Sequence, residues 1–351
     1  MNSNRVQDVF VNLGGQDDNL GDSALRAGFL LAARGEGRRF HVLLEGKTSD
    51  YVSGLPLKPE DRVYTKASKW GAASRAAVRP VHLFEAGEIN PRPGATYPKR
   101  GRVAGLQQAV AAGGAVIVAG IGIRSPQVAA ETVTFHEVLR DAAIVSWRDQ
   151  PSRDGAGFGD VAPDWAYSMG TPTSQWAPES ERPLLSITMR FGRPWPETSW
   201  FDAIRALAEQ TSTEIVTVAQ VARDAPRSVR IAEELGGKYL VAASTSHHDL
   251  DVHVRDVYSR SLAVISDRAH GLIIGATEGA YPLGSAANPE KIKRLLESAG
   301  LGELTGPYDE FAQLGPQVVE HRANLAPAID TSRATLTDLR ERIHKAMDSV
   351  L

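Results

Sequence analysis

The stretch Leu262-Ala263-Val264-Ile265-Ser266 runs straight into Asp267-Arg268-Ala269-His270-Gly271 and on through Leu272-Ile273-Ile274-Gly275-Ala276-Thr277-Glu278. Its first five residues form a short apolar run rich in β-branched side chains, the pattern of a buried strand. Ala269, Leu272, Ile273 and Ala276 then recur at helical spacing, so a helix is expected over Ala269–Glu278. A buried strand that hands over to a helix is half of a βαβ unit, and such units build parallel sheets. The same alternation extends outward on both sides. Around this stretch, Leu184–Thr188, Glu214–Ala219, Tyr239–Ala242 and Tyr281–Leu283 read as strands, and Trp200–Gln210, Ser228–Leu235, Leu250–Ser261 and Pro289–Ala299 as helices. Earlier in the chain, Val9–Leu13, His41–Leu44, His82–Glu85, Val116–Ala119 and Ile144–Trp147 read as strands, with helices over Ser23–Ala33, Val103–Ala112 and Ala129–Leu139.

Between the two series, Ser168–Pro183 is rich in Ser, Thr, Pro and Gly without a period, as a linker is. A chain of 351 residues is also long for one core. The expected fold is therefore α/β, with two tandem Rossmann-like doubly wound domains facing a cleft. Residues 1–170 form the first, 171–183 the linker and 184–326 the second. Residues 327–351 form a closing helix that packs back on the first domain, with Leu336, Leu339, Ile343 and Met347 on its apolar stripe. The stretch Lys47–Ala77 has weak periodicity and is read as an acceptor-side loop or an extra helix.

The net charge of −3 argues against a nucleic-acid scaffold, though not against a local anion pocket. The absence of cysteine removes disulfides and thiolate metal sites. Met1–Gly15 lacks the basic and apolar regions of a signal peptide, and Ala109–Ile123 is too short and glycine-rich to span a bilayer. A cytoplasmic protein is expected, with peripheral contact at the inner face of the membrane if its substrate is lipid-carried.

Chemistry concentrates in four places. Asp267 has the side chain of an N-cap, which would put Arg268 first and His270 third in a helix whose positive end favours anions. A guanidinium there suits bidentate anion contact and an imidazole suits proton transfer. Gly271 and Gly275 allow close approach of neighbouring elements. Asn19-Leu20-Gly21-Asp22 follows the first strand and is again a glycine-bearing turn into a helix; Asn19 or Asp18 suits its cap, and Asp22 is a candidate general base. Arg148 and Arg190 each end a strand, where a doubly wound sheet presents ligands. Against these stand plainer readings: a capped helix, an ordinary helix start and surface salt bridges. His247-His248-Asp249 reads better as a helix start capped by Asp249 than as a metal site, and no metal is expected. Gly120-Ile121-Gly122 lacks the third glycine of a dinucleotide fingerprint. Trp176, Trp195 and Trp200 can stack on a sugar, but packing is their ordinary use.

Taken together these pieces resemble the polysaccharide pyruvyl transferase family. The resemblance rests on Asn19-Leu20-Gly21-Asp22, on Arg148-Asp149 with Ser152, on Pro163-Asp164, and on Arg268-Ala269-His270-Gly271. A looser Gly279-Ala280-Tyr281-Pro282 and Lys291 follow, in the family's order, over roughly residues 9–300. The chain departs from the pattern at Phe84-Glu85-Ala86-Gly87-Glu88, where the family often has a glycine run, at one extra residue before Pro282, and at Ala286 or Ala287, where a tyrosine is common. The resemblance implies a fold similar to the two-domain GT-B glycosyltransferase architecture and no metal or cofactor. It implies phosphoenolpyruvate as co-substrate and a glycan or lipid-linked sugar as acceptor. Arg268, Arg148, Arg190 and Lys291 would hold the donor beside Gly271, Asn19 and Gly21 would shape the loop, His270 would be the general acid and Asp22 the base. Two rivals share this architecture: a nucleotide-sugar glycosyltransferase, in which His270-Gly271, Thr277, Glu278 and Pro282 hold a diphosphate, and a catalytically silent binding protein.

Overall fold

The computed structural model describes residues 6–84 and 86–350. Its contacts divide the chain into two units. One comprises the chain up to Asp17, Leu25–Trp165 and the residues from Thr335 on; the other comprises Asp18–Ala24 and Ala166–Ala334.

The first unit is built on β1 (Gln7–Asn12), β2 (Arg38–Leu43), β3 (Arg62–Tyr64), β4 (Val81–Leu83), β5 (Gly87–Ile89), β7 (Ala115–Ile123), β9 (Ile144–Trp147) and β10 (Asp160–Val161), with β6 (Thr96–Tyr97) and β8 (Thr134–Phe135) as a separate pair. The sheet order is β10-β9-β7-β4-β1-β2-β3, with β5 also on β7, and every pairing is parallel. The second unit holds β11 (Leu184–Thr188), β12 (Glu214–Thr217), β13 (Lys238–Tyr239), β14 (Ser261–Ser266), β15 (Tyr281–Ser285) and β16 (Thr305–Gly306) in the order β13-β12-β11-β14-β15-β16, again all parallel. Renumbered within its own sheet, this second order is 3-2-1-4-5-6, the Rossmann order, whose switch point lies between β11 and β14. The central strands β7, β11, β14 and β15 are buried along their whole length, as strands covered on both faces must be.

Several expected elements differ. The helix read over Ala129–Leu139 is two short helices, Pro126–Thr132 and Glu137–Arg140, parted by β8, because Thr134 and Phe135 pair with Thr96 and Tyr97. β7 continues past Ala119 to Ile123 through a bulge at Gly120, which has a φ of +83° and whose lack of a Cβ leaves room for the Trp165 ring. Gly120 and Gly122 thus lie inside a strand, and a dinucleotide turn is not formed there. Lys47–Ala77 contains the helix Ser49–Ser53, the edge strand β3 and the helix Ala67–Ala76. Glu85 lies outside the described residues.

The stretch read as a linker is packed rather than loose. Arg182, 3 % exposed, donates to the carbonyls of Ala177 (3.0 Å), Ser261 (3.1 Å) and Glu278 (3.1 Å). The final helix runs Leu325–Asp348, and its last part, from Thr335 on, groups with the first unit. Among the described residues no helix is long and apolar enough to cross a membrane.

Candidate functional site

In the second unit Thr188 pairs with Ser266 and Ser266 with Gly284, so β11, β14 and β15 end level with one another. Arg190, Arg268 and the turn leading to Lys291 all leave the sheet from this edge, where open α/β sheets bind ligands. The helix that follows β14 is Ala269–Thr277, with Arg268 as its N-cap in extended conformation. Asp267 does not cap it. The Ser266 hydroxyl accepts from the Arg268 backbone at 2.8 Å, and the Asp267 carboxylate instead accepts from the Arg190 backbone at 2.6 Å. His270 is therefore the second helical residue rather than the third. Burial is the main influence on Asp267 and pushes its carboxyl up to about 6, against the Arg190 amide and the Arg268 charge. Gly271 and Gly275 do permit close approach: a Cβ on Gly271 would lie 2.8 Å from Thr188, and one on Gly275 2.7 Å from Val264. Gly271–Thr277 are all buried, which seats the helix deep and leaves its free N-terminal amides beside the strand ends.

Arg268 is committed to a partner that the sequence does not signal. Its Nε and Nη2 engage both oxygens of Asp224, the second at 2.8 Å, and the Asp224 carboxylate is fully buried. Asp224 also accepts from the Phe191 backbone at 2.9 Å. The ion pair thus ties the loop after β11 to the start of the helix Ala269–Thr277. Arg190 stands differently. It is half-buried, and among the described residues its guanidinium has no ion pair. Burial first, and then the neighbouring Arg193 and Arg268 charges, lower its pKa. The nearby Asp267 and Asp224 carboxylates oppose that shift, so Arg190 stands among both signs of charge, and a bound anion would add to its favourable neighbours. Lys291 lies exposed in the first turn of the helix Glu290–Glu297 that follows β15.

The segment Asp18–Ala24 belongs to this same unit, and three contacts attach it. Arg223 engages both carboxylate oxygens of Asp18. Ser23 Oγ lies 2.7 Å from His247 Nδ1, both groups being buried. Gly21 packs directly on His270, where an added Cβ would stand 2.4 Å from the His270 Cβ. Asn19 caps the helix Leu20–Ala33 as expected, its side chain accepting from the Gly21 backbone at 3.1 Å. Asp22, half-buried, occupies the first turn. The Asn19–Asp22 turn and the Arg268–Gly271 start, distant in sequence, are thus one local structure.

Arg148 belongs to the first unit, 1 % exposed. Its guanidinium lies 3.4 Å from Asp164 and 3.6 Å from Glu88, and Gly122 gives it room, since a Cβ there would be 2.4 Å from Nε. Next to it Asp149 caps the helix Gln150–Ala156 through the Ser152 amide (2.8 Å), and the Ser152 hydroxyl accepts from Ile123 (2.8 Å). The Arg148, Asp149, Ser152 and Asp164 of the family pattern therefore gather in one buried cluster.

Other candidates resolve into packing. Glu278 is 2 % exposed and holds Arg255 and Thr171, each at 2.6 Å. Ser246, not Asp249, caps the helix His247–Ser259, and among the described residues no group of three or more metal-ligating side chains forms. Trp200 is buried with its indole on Ser285, while Trp195 is exposed beside Arg227 and Arg230.

No family model matches the sequence, and no curated protein matches it. Solved structures do. The chain is similar to Anabaena HepE in complex with UDP, at 12 % identity over 98 % of both chains with a TM-score of 0.53. It is similar to S. aureus MnaA bound to UDP, at 11 % identity over 95 % of this chain and 92 % of that one, with a TM-score of 0.52. At such identities the likeness concerns the fold, and the fold is the GT-B type: two parallel-sheet α/β domains of Rossmann order.

Proposed function

We propose that this chain is a glycan-modifying transferase that takes a phosphate-bearing donor at the ends of β11 and β14, that the donor is phosphoenolpyruvate, and that the product is a pyruvyl ketal on a sugar. The observation that carries this reading is the packing of Gly21 on His270, which joins the two most specific motifs of the pyruvyl transferase pattern in one site. Arg190, which makes no ion pair among the described residues, and the amides of the helix Ala269–Thr277 supply positive charge for a doubly anionic donor. Arg268, taken up by Asp224, positions this frame.

In the mechanism, His270 donates its proton to the methylene carbon of the enol phosphate, leaving cationic character at the carbon that bears the phosphate oxygen. A sugar hydroxyl attacks that carbon as Asp22 takes its proton. Phosphate then departs with the electrons of its C–O bond, and a second hydroxyl closes the ketal, its proton leaving with phosphate. The proton taken by Asp22 passes to solvent and His270 regains one from solvent, so one phosphoenolpyruvate and one diol give one ketal and one phosphate.

A second reading has its own support. The similar folds of HepE and MnaA carry UDP, which favours a nucleotide-sugar donor, and at the level of fold the comparisons lean this way. Against it, Thr277 and Glu278 are buried and already engaged by Arg255 and Thr171, so they are not presented to a diphosphate. Thermal melting separates the two. A ligand of the folded state raises the midpoint. Phosphoenolpyruvate is expected to raise it, and UDP and GDP to leave it unmoved; a rise with a nucleotide alone would transfer the conclusion to glycosyl transfer.

A further inference from the structure

The first unit carries a half-open pocket of about 610 Å³, within the ordinary size of small-molecule sites. It follows β4 from Pro80, just ahead of the strand, to Phe84, just behind it, with the helices Ala67–Ala76 and Arg100–Ala111 as its sides. Four residue steps of strand give it a run of roughly 13 Å. One wall is aromatic. Trp70 is fixed by its indole N–H on the His41 carbonyl (2.8 Å) and meets His82 edge-on. His82 is paired with the Ser74 hydroxyl at 2.7 Å, and burial holds its imidazole down to about 4, so this wall is uncharged at neutral pH. The other wall is bare. Gly101, Gly105 and Ala109 line it at four-residue steps, and a Cβ on Gly101 or Gly105 would meet no atom within 4 Å. These glycines do not serve close packing; they keep space open. Among the described residues the charged lining is Lys47, Arg75 and Arg102 with Glu45. Glu45 accepts from the Ala67 amide at 3.1 Å and Lys47 donates to the Gly15 carbonyl at 2.6 Å, while Arg75 is exposed and has no ion pair among the described residues.

We infer that this cavity binds an amphiphile, an elongated apolar chain lying along β4 between the two helices with an anionic group held by the rim cations. The apolar and aromatic length asks for a chain, and the excess of cations asks for an anion. The inference is independent of the donor bound in the second unit.

The test uses the full chain without any donor. Dansyl-undecanoic acid serves as the reporter, displaced in turn by farnesyl phosphate, laurate and farnesol. Saturable binding is expected, with farnesol at least tenfold weaker than the better anion. Displacement by farnesyl phosphate alone would assign a phosphate head group, and by laurate as well a general anion site. Gly105→Leu fills open space and is expected to melt no lower than wild type yet bind at least tenfold more weakly; Gly101→Leu serves if that variant does not fold. Arg75→Ala with Arg102→Ala is expected to erase the preference for anions. Absence of saturable binding, unchanged binding in the glycine variants, or farnesol binding as tightly as the anions would overturn the inference.

Discussion

Gly21→Ala tests the contact on which the functional reading rests. The new methyl would lie 2.4 Å from the His270 Cβ and 2.5 Å from its Cγ and Nδ1. Carbon atoms settle at about 3.5 Å, so something must give by about 1 Å. The obstructing Cβ is one bond from the backbone and cannot rotate away. Overpacking of this kind costs about 1–3 kcal/mol. Gly21 lies in the first turn of the helix Leu20–Ala33, where alanine recovers at most about 1 kcal/mol of helix propensity. Gly105→Ala is the control, with the same propensity gain and nothing within 4 Å of the new methyl. Alanine at Gly21 should therefore leave the protein about 1–3 kcal/mol less stable than alanine at Gly105, read from urea midpoints. Displacing His270 by about 1 Å should also lower turnover by about 100-fold. A Gly21→Ala protein as stable and as active as the Gly105→Ala control would refute the packing of this turn on His270.

Three further outcomes follow from the same site. Arg268→Ala leaves the buried Asp224 carboxylate without its counter-charge and should cost about 3–5 kcal/mol, with Arg268→Lys recovering little because the bidentate fork is lost; thermal unfolding measures both. Asp267 carries a carboxyl raised to about 6 by burial, above its unfolded value near 4. The folded chain therefore holds this proton more tightly, so the contribution is full below about pH 4 and is lost as pH rises to about 6. Asp267→Asn, which still accepts from the Arg190 amide, should remove that part of the slope in midpoints taken across pH 4–7. His270→Asn should keep the melting temperature of wild type within a few degrees and abolish phosphate release from phosphoenolpyruvate with a competent acceptor.

The sheets were legible because their strands are buried on both faces and read as unbroken apolar runs; Ile144–Trp147 and Leu184–Thr188 are observed with the bounds expected. What was missed lies where burial is one-sided or absent. β3 is an exposed edge strand of Arg62, Val63 and Tyr64, and the helix Ala67–Ala76 has few large apolar residues to mark a face. The short β8 was hidden in a helical period because its partner β6 is distant in sequence. In the site, the strand-to-helix start at Ser266–Gly271 was readable from local pattern. Its internal bonding was not, because Asp267 had a competing donor in the Arg190 amide and Ser266 already served Arg268. Asp224 carries no local signature, and the His247-His248-Asp249 run signals a helix start but not the Ser23 contact; each matters through a side chain that the fold brings to it.

The most direct test of the account is a calorimetric titration of the purified chain with phosphoenolpyruvate, with Arg190→Ala titrated in parallel. Among the described residues Arg190 makes no ion pair, and Asp224 keeps its Arg268 partner when Arg190 is removed. One charge-assisted bond contributes about 1.5–3 kcal/mol, and the variant should therefore bind roughly 10–100-fold more weakly. Saturable binding to wild type with that loss is the predicted result. Equal binding by the variant, or no binding of phosphoenolpyruvate where UDP binds, would contradict the claim that this strand edge holds phosphoenolpyruvate.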